Sequence, residues 1–412
     1  MAESGAGAAP RRGMTVSPTG RYLLDVDGKP FFWLGDTAWL LFQATTRDAA
    51  ERYLRARARQ GFSVVQAALV MGEQRVAGTR RPNAYGYHAF VDGDPARPDL
   101  LPKSDSKRDA PGPGAYAYWD HADYIVDLAR ANGLTLALLP LFVGSRGEGF
   151  THLTAENAGA YGWFLGARYR DQDHIVWVLG GDNVRQLEAQ QGVWRALAQG
   201  IAEGVAGTAD IEDYTTTLMT YHIAGGHSSS QHFHGAAWLD LNMIQTWSAH
   251  ETIYPMVRAD YRRTPPKPVV LAEAAYEDGP QYPTRPIDAH VIRKQAYWSY
   301  FAGGFHTYGN TNVWNFGTYR PEATQDWRAA LDSPGATSMT VLRRFFDELT
   351  WWTLVPEESV FASEAGEAGE ADGGGTRNVA LRAREGDCIV AYLPDAGTVC
   401  LVMERLTAAG EA

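Results

Sequence analysis

The sequence predicts a (β/α)8 TIM barrel followed by a small antiparallel β-domain, and three observations carry that prediction. Strand-like and helix-like segments alternate from Arg21 to about Pro356, the pattern of βα units around a parallel sheet. The strand-like segments number eight, and several are apolar on both faces, as parallel strands covered on both sides must be. Two of these runs end in an acid: Asp182 closes Ile175 to Gly181, and Glu273 closes Val269 to Ala272. An acid at the carboxyl end of a barrel strand stands where barrel enzymes keep their chemistry.

In order, Pro30 to Asp36 reads as the first strand, with a helix from Thr46 to Gln60 stopped by Gly61. Phe62 to Ala67 is the second strand. A Pro- and Gly-rich connection from Met71 to Tyr118 follows, too long for a plain turn and placed here as a loop over a functional face. Asp120 to Asn132 has helical periodicity, and Leu134 to Val143 is the third strand. A helix over Thr154 to Arg170 leads into the strand that ends at Asp182, and Val193 to Val205 is the next helix. Thr217 to His222, Asn242 to Trp247, the run ending at Glu273, and Phe305 to Tyr308 complete the eight strands. Helices over Asp288 to Phe301 and Ser338 to Leu349 close the barrel.

The composition changes at Pro356. Glu364 to Gly375 is a Gly, Ala and Glu stretch with no means of forming a core, and reads as a flexible loop. Asn378 to Arg384, Cys388 to Leu393 and Thr398 to Met403 then read as three short strands that must lean on the barrel. The expected organisation is a disordered tail over 1–19, a barrel over 20–356, and a small β-domain over 357–412, too short for a full sandwich. Cys388 and Cys400 would not lie opposite one another in that hairpin, so no disulfide is expected.

A formal charge of −11 excludes a nucleic-acid partner, since no basic field would gather phosphates. No window approaches 18 uninterrupted apolar residues, which excludes a membrane-spanning helix. Met1 to Arg12 lacks the apolar centre of a signal peptide, so the expected location is the cytoplasm, or outside the cell if a leader has been removed. The 13 Trp and 20 Tyr are an excess that either fills a large core or lines a groove for ring-shaped ligands, with most of them core and a handful available as a platform.

Paired carboxylates among aromatics suggest sugar chemistry, because glycosidic cleavage needs one carboxyl to protonate the leaving oxygen and another to attack or to activate water. Asp182 and Glu273 fall on the fourth and seventh strands, which face one another across the mouth. Asp182 also suits a helix N-cap after its double glycine. Glu277 competes with Glu273 for a place in the site and is assigned to a sugar hydroxyl or a partner contact.

Gly28 to Trp39, the pair Gly180-Gly181 with Asp182, and Glu273 with Tyr276-Glu277 together resemble the apiosidase-like glycoside hydrolases, over about Gly20 to Met403. Members often carry a C-terminal module described as collagen-binding. The resemblance implies a TIM barrel that hydrolyses glycosidic bonds, with Asp182 as acid/base, Glu273 as nucleophile, no cofactor, and apiose or another furanoside or pentose as the terminal sugar released. Related retaining barrels commonly have Asn-Glu where this chain has Gly181-Asp182, so the proton donor is one methylene shorter. Ala274 stands where Pro is usual.

Sugar contacts are expected from residues at or near strand ends: Trp33, Asp36 and Trp39 at the first, Gln66 at the second, His222 at the fifth, Trp247 at the sixth, and His306 with Tyr308 at the eighth. His222, His227, His232 and His234 match no tetrahedral metal spacing, so no metal is expected. Ser228-Ser229-Ser230 lacks the glycine-flanked elbow of a hydrolase serine. The partner is a glycoside or oligosaccharide. The same aromatic groove would also suit a carbohydrate-binding scaffold whose acids are structural.

Overall fold

The structure is a computed structural model that describes residues 13–72, 81–101, 116–145, 152–184, 187–209, 213–283, 286–318, 323–362 and 377–406. Three short strands, β1 (Thr15–Val16), β2 (Leu23–Leu24) and β3 (Pro30–Phe31), form an antiparallel sheet ahead of the barrel. The expected first strand is thus divided: Pro30–Phe31 belongs to this sheet, and only β4 (Leu34–Thr37) enters the barrel. Thr15 and Val16 pair with Leu24 and Leu23, so regular structure begins inside the segment expected to be a disordered tail. Residues 1–12 of that tail lie outside the described residues.

The barrel strands follow as β5 (Val64–Ala68), β6 (Thr135–Leu139), β7 (Ile175–Gly180), β8 (Leu218–His222), then β10 (Asn242–Gln245), β11 (Val269–Glu273) and β12 (Phe305–Tyr308); β9 (His227–Ser228) is a short antiparallel addition on β10. Their order in space is β8-β7-β6-β5-β4-β12-β11-β10-β9, and β12 pairs with β4 in parallel. The remaining seam, between β8 and β10, is bridged by the Asp240 amide on the Met219 carbonyl (2.8 Å) and by the Thr220 hydroxyl on the Leu241 carbonyl (2.7 Å). Every residue of the eight barrel strands is buried, which explains why their sequences are apolar on both faces.

The helices are α1 (Leu41–Ala44), α2 (Arg47–Arg59), α3 (Tyr118–Ala131), α4 (Ala155–Arg168), α5 (Leu187–Ala206), α6 (Ser230–Phe233), α7 (Ile253–Tyr261), α8 (Ala289–Phe301), α9 (Trp327–Ala330) and α10 (Pro334–Asp347). Thr46 caps α2 by accepting from the Ala49 amide, and basic Arg57 and Arg59 fall in its last turn, where they oppose the helix dipole. Helices α4 and α5 touch backbone to backbone. A Cβ on Gly166 would stand 2.2 Å from the Ile201 carbonyl oxygen, so the contact tolerates no larger residue.

Beyond the barrel, β13 (Leu354–Pro356), β14 (Val379–Ala383) and β15 (Ile389–Tyr392) make a three-stranded antiparallel sheet. Its first strand comes from before the expected boundary, and Thr398 to Met403 is not a strand: only Leu401 bridges to Phe361. The sheet leans on α8, where Tyr392 stacks on Tyr297 at 4.2 Å and the Trp298 indole donates to the Arg377 carbonyl. Cys388 and Cys400 are free thiols. The Glu364 to Gly375 stretch lies outside the described residues.

Candidate active site

Strands four, five and seven bring their polar groups to one place at the carboxyl end of the barrel. Beyond β7 the chain must squeeze between β8 and the end of β6. Gly180 has φ +95° and Gly181 φ +144°, and a Cβ on either would stand 2.3 Å from a carbonyl oxygen, of His222 and Val143 respectively. Glycine alone fits that path, and the turn leaves Asp182 half-buried at the strand end. The Gly181 amide donates to the His222 carbonyl (3.2 Å), which ties the turn to β8. Glu273 ends β11 at 6 % exposure, held from behind by Gln66, whose side chain donates to the Ala272 carbonyl at 3.1 Å. His222 ends β8 and is fully buried.

Asp182, His222 and Glu273 each offer a side-chain donor atom within 4.8 Å of the others, and among the described residues they are the one such group with metal-ligand chemistry. His222 Nε2 lies 3.3 Å from Glu273 Oε2. Burial disfavours the imidazolium of His222, but the adjoining Glu273 carboxylate, with Asp182 behind it, outweighs that cost and raises the pKa. In front of the acids is a cleft of about 150 Å³. Trp39 and Trp247 stand on its wall with Tyr276, Tyr282 and Trp314. Tyr276 accepts from the Trp39 indole at 2.9 Å, and its own ionisation is pushed up by burial first and by the nearby Glu273 next.

Trp247 is 41 % exposed and has φ +53°, a left-handed conformation costly for so large a residue. Its indole lies 5.3 Å from the Tyr282 ring at the cleft.

Of the expected sugar contacts, the cleft therefore gathers Trp39 and Trp247, with His222 behind Glu273. The others sit elsewhere. Trp33 is 1 % exposed and donates its indole to Thr307 at 3.2 Å. Asp36 neither caps a helix nor faces the cleft; its Oδ2 accepts from Arg57 (2.7 Å) and Tyr53 (2.5 Å), all three fully buried. Glu277 spends both oxygens, accepting from Tyr308 (2.5 Å) and from the Gly335 amide at the start of α10 (2.7 Å). Gln66 and His306 lie inside the protein, and burial drives the His306 pKa down to about 3. His227 and His234 are engaged elsewhere, with Gln231 and with the Pro265 carbonyl.

Sequence reasoning passed over Met71, Phe142, Tyr276, Gln281, Tyr282 and Trp314, all on the cleft wall. Tyr276 carried a signal, standing three residues after Glu273; Phe142 fell within the strand expected over Leu134 to Val143, which ends at Leu139, and the rest come from loops without periodicity. Of the long connection from Met71 to Tyr118, Met71 reaches this wall, while 73–80 and 102–115 lie outside the described residues.

A family model described as the apiosidase-like catalytic domain matches residues 17–353. Among solved structures, the chain is similar to a glycoside hydrolase family 5 protein from Bacteroides vulgatus ATCC 8482, at 30% identity with TM-score 0.79, covering 96% of this chain and 84% of that one. It is equally similar to a structure named glycoside hydrolase, at 30% identity and TM-score 0.79, over 96% of this chain and 86% of that one. An endo-1,4-beta-mannanase from Rhizomucor miehei shares the fold, at 13% identity and TM-score 0.51, over 81% of this chain and 99% of that one. No curated protein matches. No helix among the described residues is long and apolar enough to cross a membrane. The barrel, the acids at its mouth and the matched family model together place the chain in the apiosidase-like family, and it is a glycosidase.

Proposed function

We propose that this glycosidase releases a terminal sugar by double displacement, with Asp182 as acid/base and Glu273 as nucleophile. The carrying observation is that oxygens of the two carboxyls approach within 4.8 Å. Retaining enzymes hold the pair at about 5 Å, whereas inverting ones need about 6.5–9.5 Å to admit water. In the first step Asp182 gives its proton to the glycosidic oxygen as Glu273 attacks the anomeric carbon. In the second, Asp182 takes a proton from water, which displaces Glu273. The aromatic-walled cleft of about 150 Å³ suits a single small ring, which favours a pentose or furanoside such as apiose at the chain end. Trp39 and Trp247 offer flat faces to its C–H groups.

Incubation with a slow 2-deoxy-2-fluoro glycoside should leave a covalent adduct on the peptide that contains Glu273, and the released sugar should keep its anomeric configuration. Inversion, or an adduct on another residue, defeats the proposal. Asp182→Asn should cost about 100- to 10,000-fold on a natural linkage and far less on an aryl glycoside, whose leaving group needs little protonation. Equal losses on both substrates would remove Asp182 from the acid role.

A further inference from the structure

His222 is not on the cleft wall, yet its Nε2 lies 3.3 Å from Glu273 Oε2. Its ring is wedged in place: the Trp39 indole stands edge-on to it at 5.1 Å and 90°, and Phe142 lies 5.9 Å away. Its carbonyl is held by the Gly181 amide, so the main chain that aims Asp182 also aims His222. That separation is within ion-pair reach though outside hydrogen-bond geometry in this resting state, and neither ring nitrogen nor Glu273 Oε2 has another hydrogen-bond partner among the described residues, so a small rotation of the carboxylate completes the bond. That arrangement suits the tautomer with its proton on Nε2, directed at the carboxylate. The titratable groups that face the ring are Glu273 from β11 and Asp182 beyond β7.

We propose that His222 is a positioning residue for the nucleophile: its Nε2–H holds Oε2 of Glu273, fixes the plane of the carboxylate, and leaves Oε1 to attack the anomeric carbon. The inference rests on the reading of Glu273 as nucleophile. A carboxylate free to rotate samples attack geometries that miss the carbon, and a reacting atom misplaced by about 1 Å can cost about 100-fold in rate. The same contact raises the affinity of His222 for its own proton.

The test uses the full-length enzyme with His222→Gln, which keeps an N–H donor at a similar reach, and His222→Phe, which fills the space without one. With Phe, the rate of adduct formation on Glu273 should fall about 100-fold, with KM little changed. Gln should recover part of the rate. A rise in KM with an unchanged adduct rate would instead make His222 a sugar contact and overturn the proposal. So would Phe labelling at the wild-type rate. Should His222→Phe fail to fold, the wild-type enzyme still decides by histidine NMR: the His222 titration midpoint should move to lower pH in Glu273→Gln, and an unmoved midpoint overturns the proposal. Failure of the underlying reading is separable, because a wild-type adduct on a residue other than Glu273 condemns the nucleophile assignment whatever His222 does.

Discussion

The corner where strands one and eight meet and the mouth where strands four, five and seven converge both hold buried carboxylates, and they treat them oppositely. At the corner, Asp36 shares its Oδ2 between Arg57 and Tyr53, and Glu277 gives both oxygens to Tyr308 and the Gly335 amide. The Arg57 guanidinium also lies over the Tyr308 ring, so the two acids belong to one packed network. At the mouth, Glu273 stands 3.3 Å from His222, near Asp182, with a cleft in front. A carboxylate tied by fixed donors inside packed protein stabilises the fold; one that faces a cavity is available to react. Position at a strand end does not separate the two cases. Access to the cleft does.

Four measurements would break or sharpen that contrast. Glu273→Gln should abolish turnover by more than about 1,000-fold while the melting temperature stays close to wild type. Asp36→Asn should do the reverse, costing about 3–5 kcal/mol of stability because the Arg57 guanidinium is left buried without its counter-charge; denaturant titration reads this, and the folded fraction should keep its kcat. A loss of kcat without loss of stability would move Asp36 to the mouth in functional terms. Glu277→Gln should destabilise by about 1–3 kcal/mol through the weakened Gly335 and Tyr308 contacts, again with kcat nearly intact.

The effect that needs no mutation concerns neutral histidines. Burial lowers His306 to about 3, and His121 and His250 to about 4, against an ordinary 6.5. These groups are uncharged in the folded protein, so their contribution is complete above pH 6.5. As pH falls below 6.5 the unfolded chain binds protons that the folded one refuses, and stability drops by about 1.4 kcal/mol per pH unit for each. Denaturation midpoints between pH 7 and pH 4 should show that slope, and His306→Leu should flatten it. An unchanged slope would mean that His306 takes up its proton while folded.

The parallel strands were legible because burial on both faces demands apolar runs, and β7 and β11 are found where Ile175 to Gly180 and Val269 to Ala272 foretell them. The Gly180-Gly181 pair was legible as a turn. The division of Pro30 to Asp36 between two sheets was not, since nothing in Phe31-Phe32-Trp33 marks the change of direction. Nor was the pairing of Leu354–Pro356 with β14, a long-range contact that replaces the strand expected over Thr398 to Met403.

By itself, then, the sequence determined the alternation of strands and helices, the count of barrel strands, and the two acids at the ends of β7 and β11, because hydrophobic burial and backbone sterics act locally and leave a periodic trace. The tertiary structure alone decided which polar side chains share a space. Asp36, Glu277 and Tyr308 stand at or near strand ends as Glu273 does, yet the way the barrel closes turns them toward Arg57 and α10, while Tyr276, Tyr282 and Trp314 reach the cleft from loops without a pattern. Whether a strand-end side chain meets a donor or a cavity depends on neighbours 17 to 58 residues away, brought in by other elements, and no local rule encodes that.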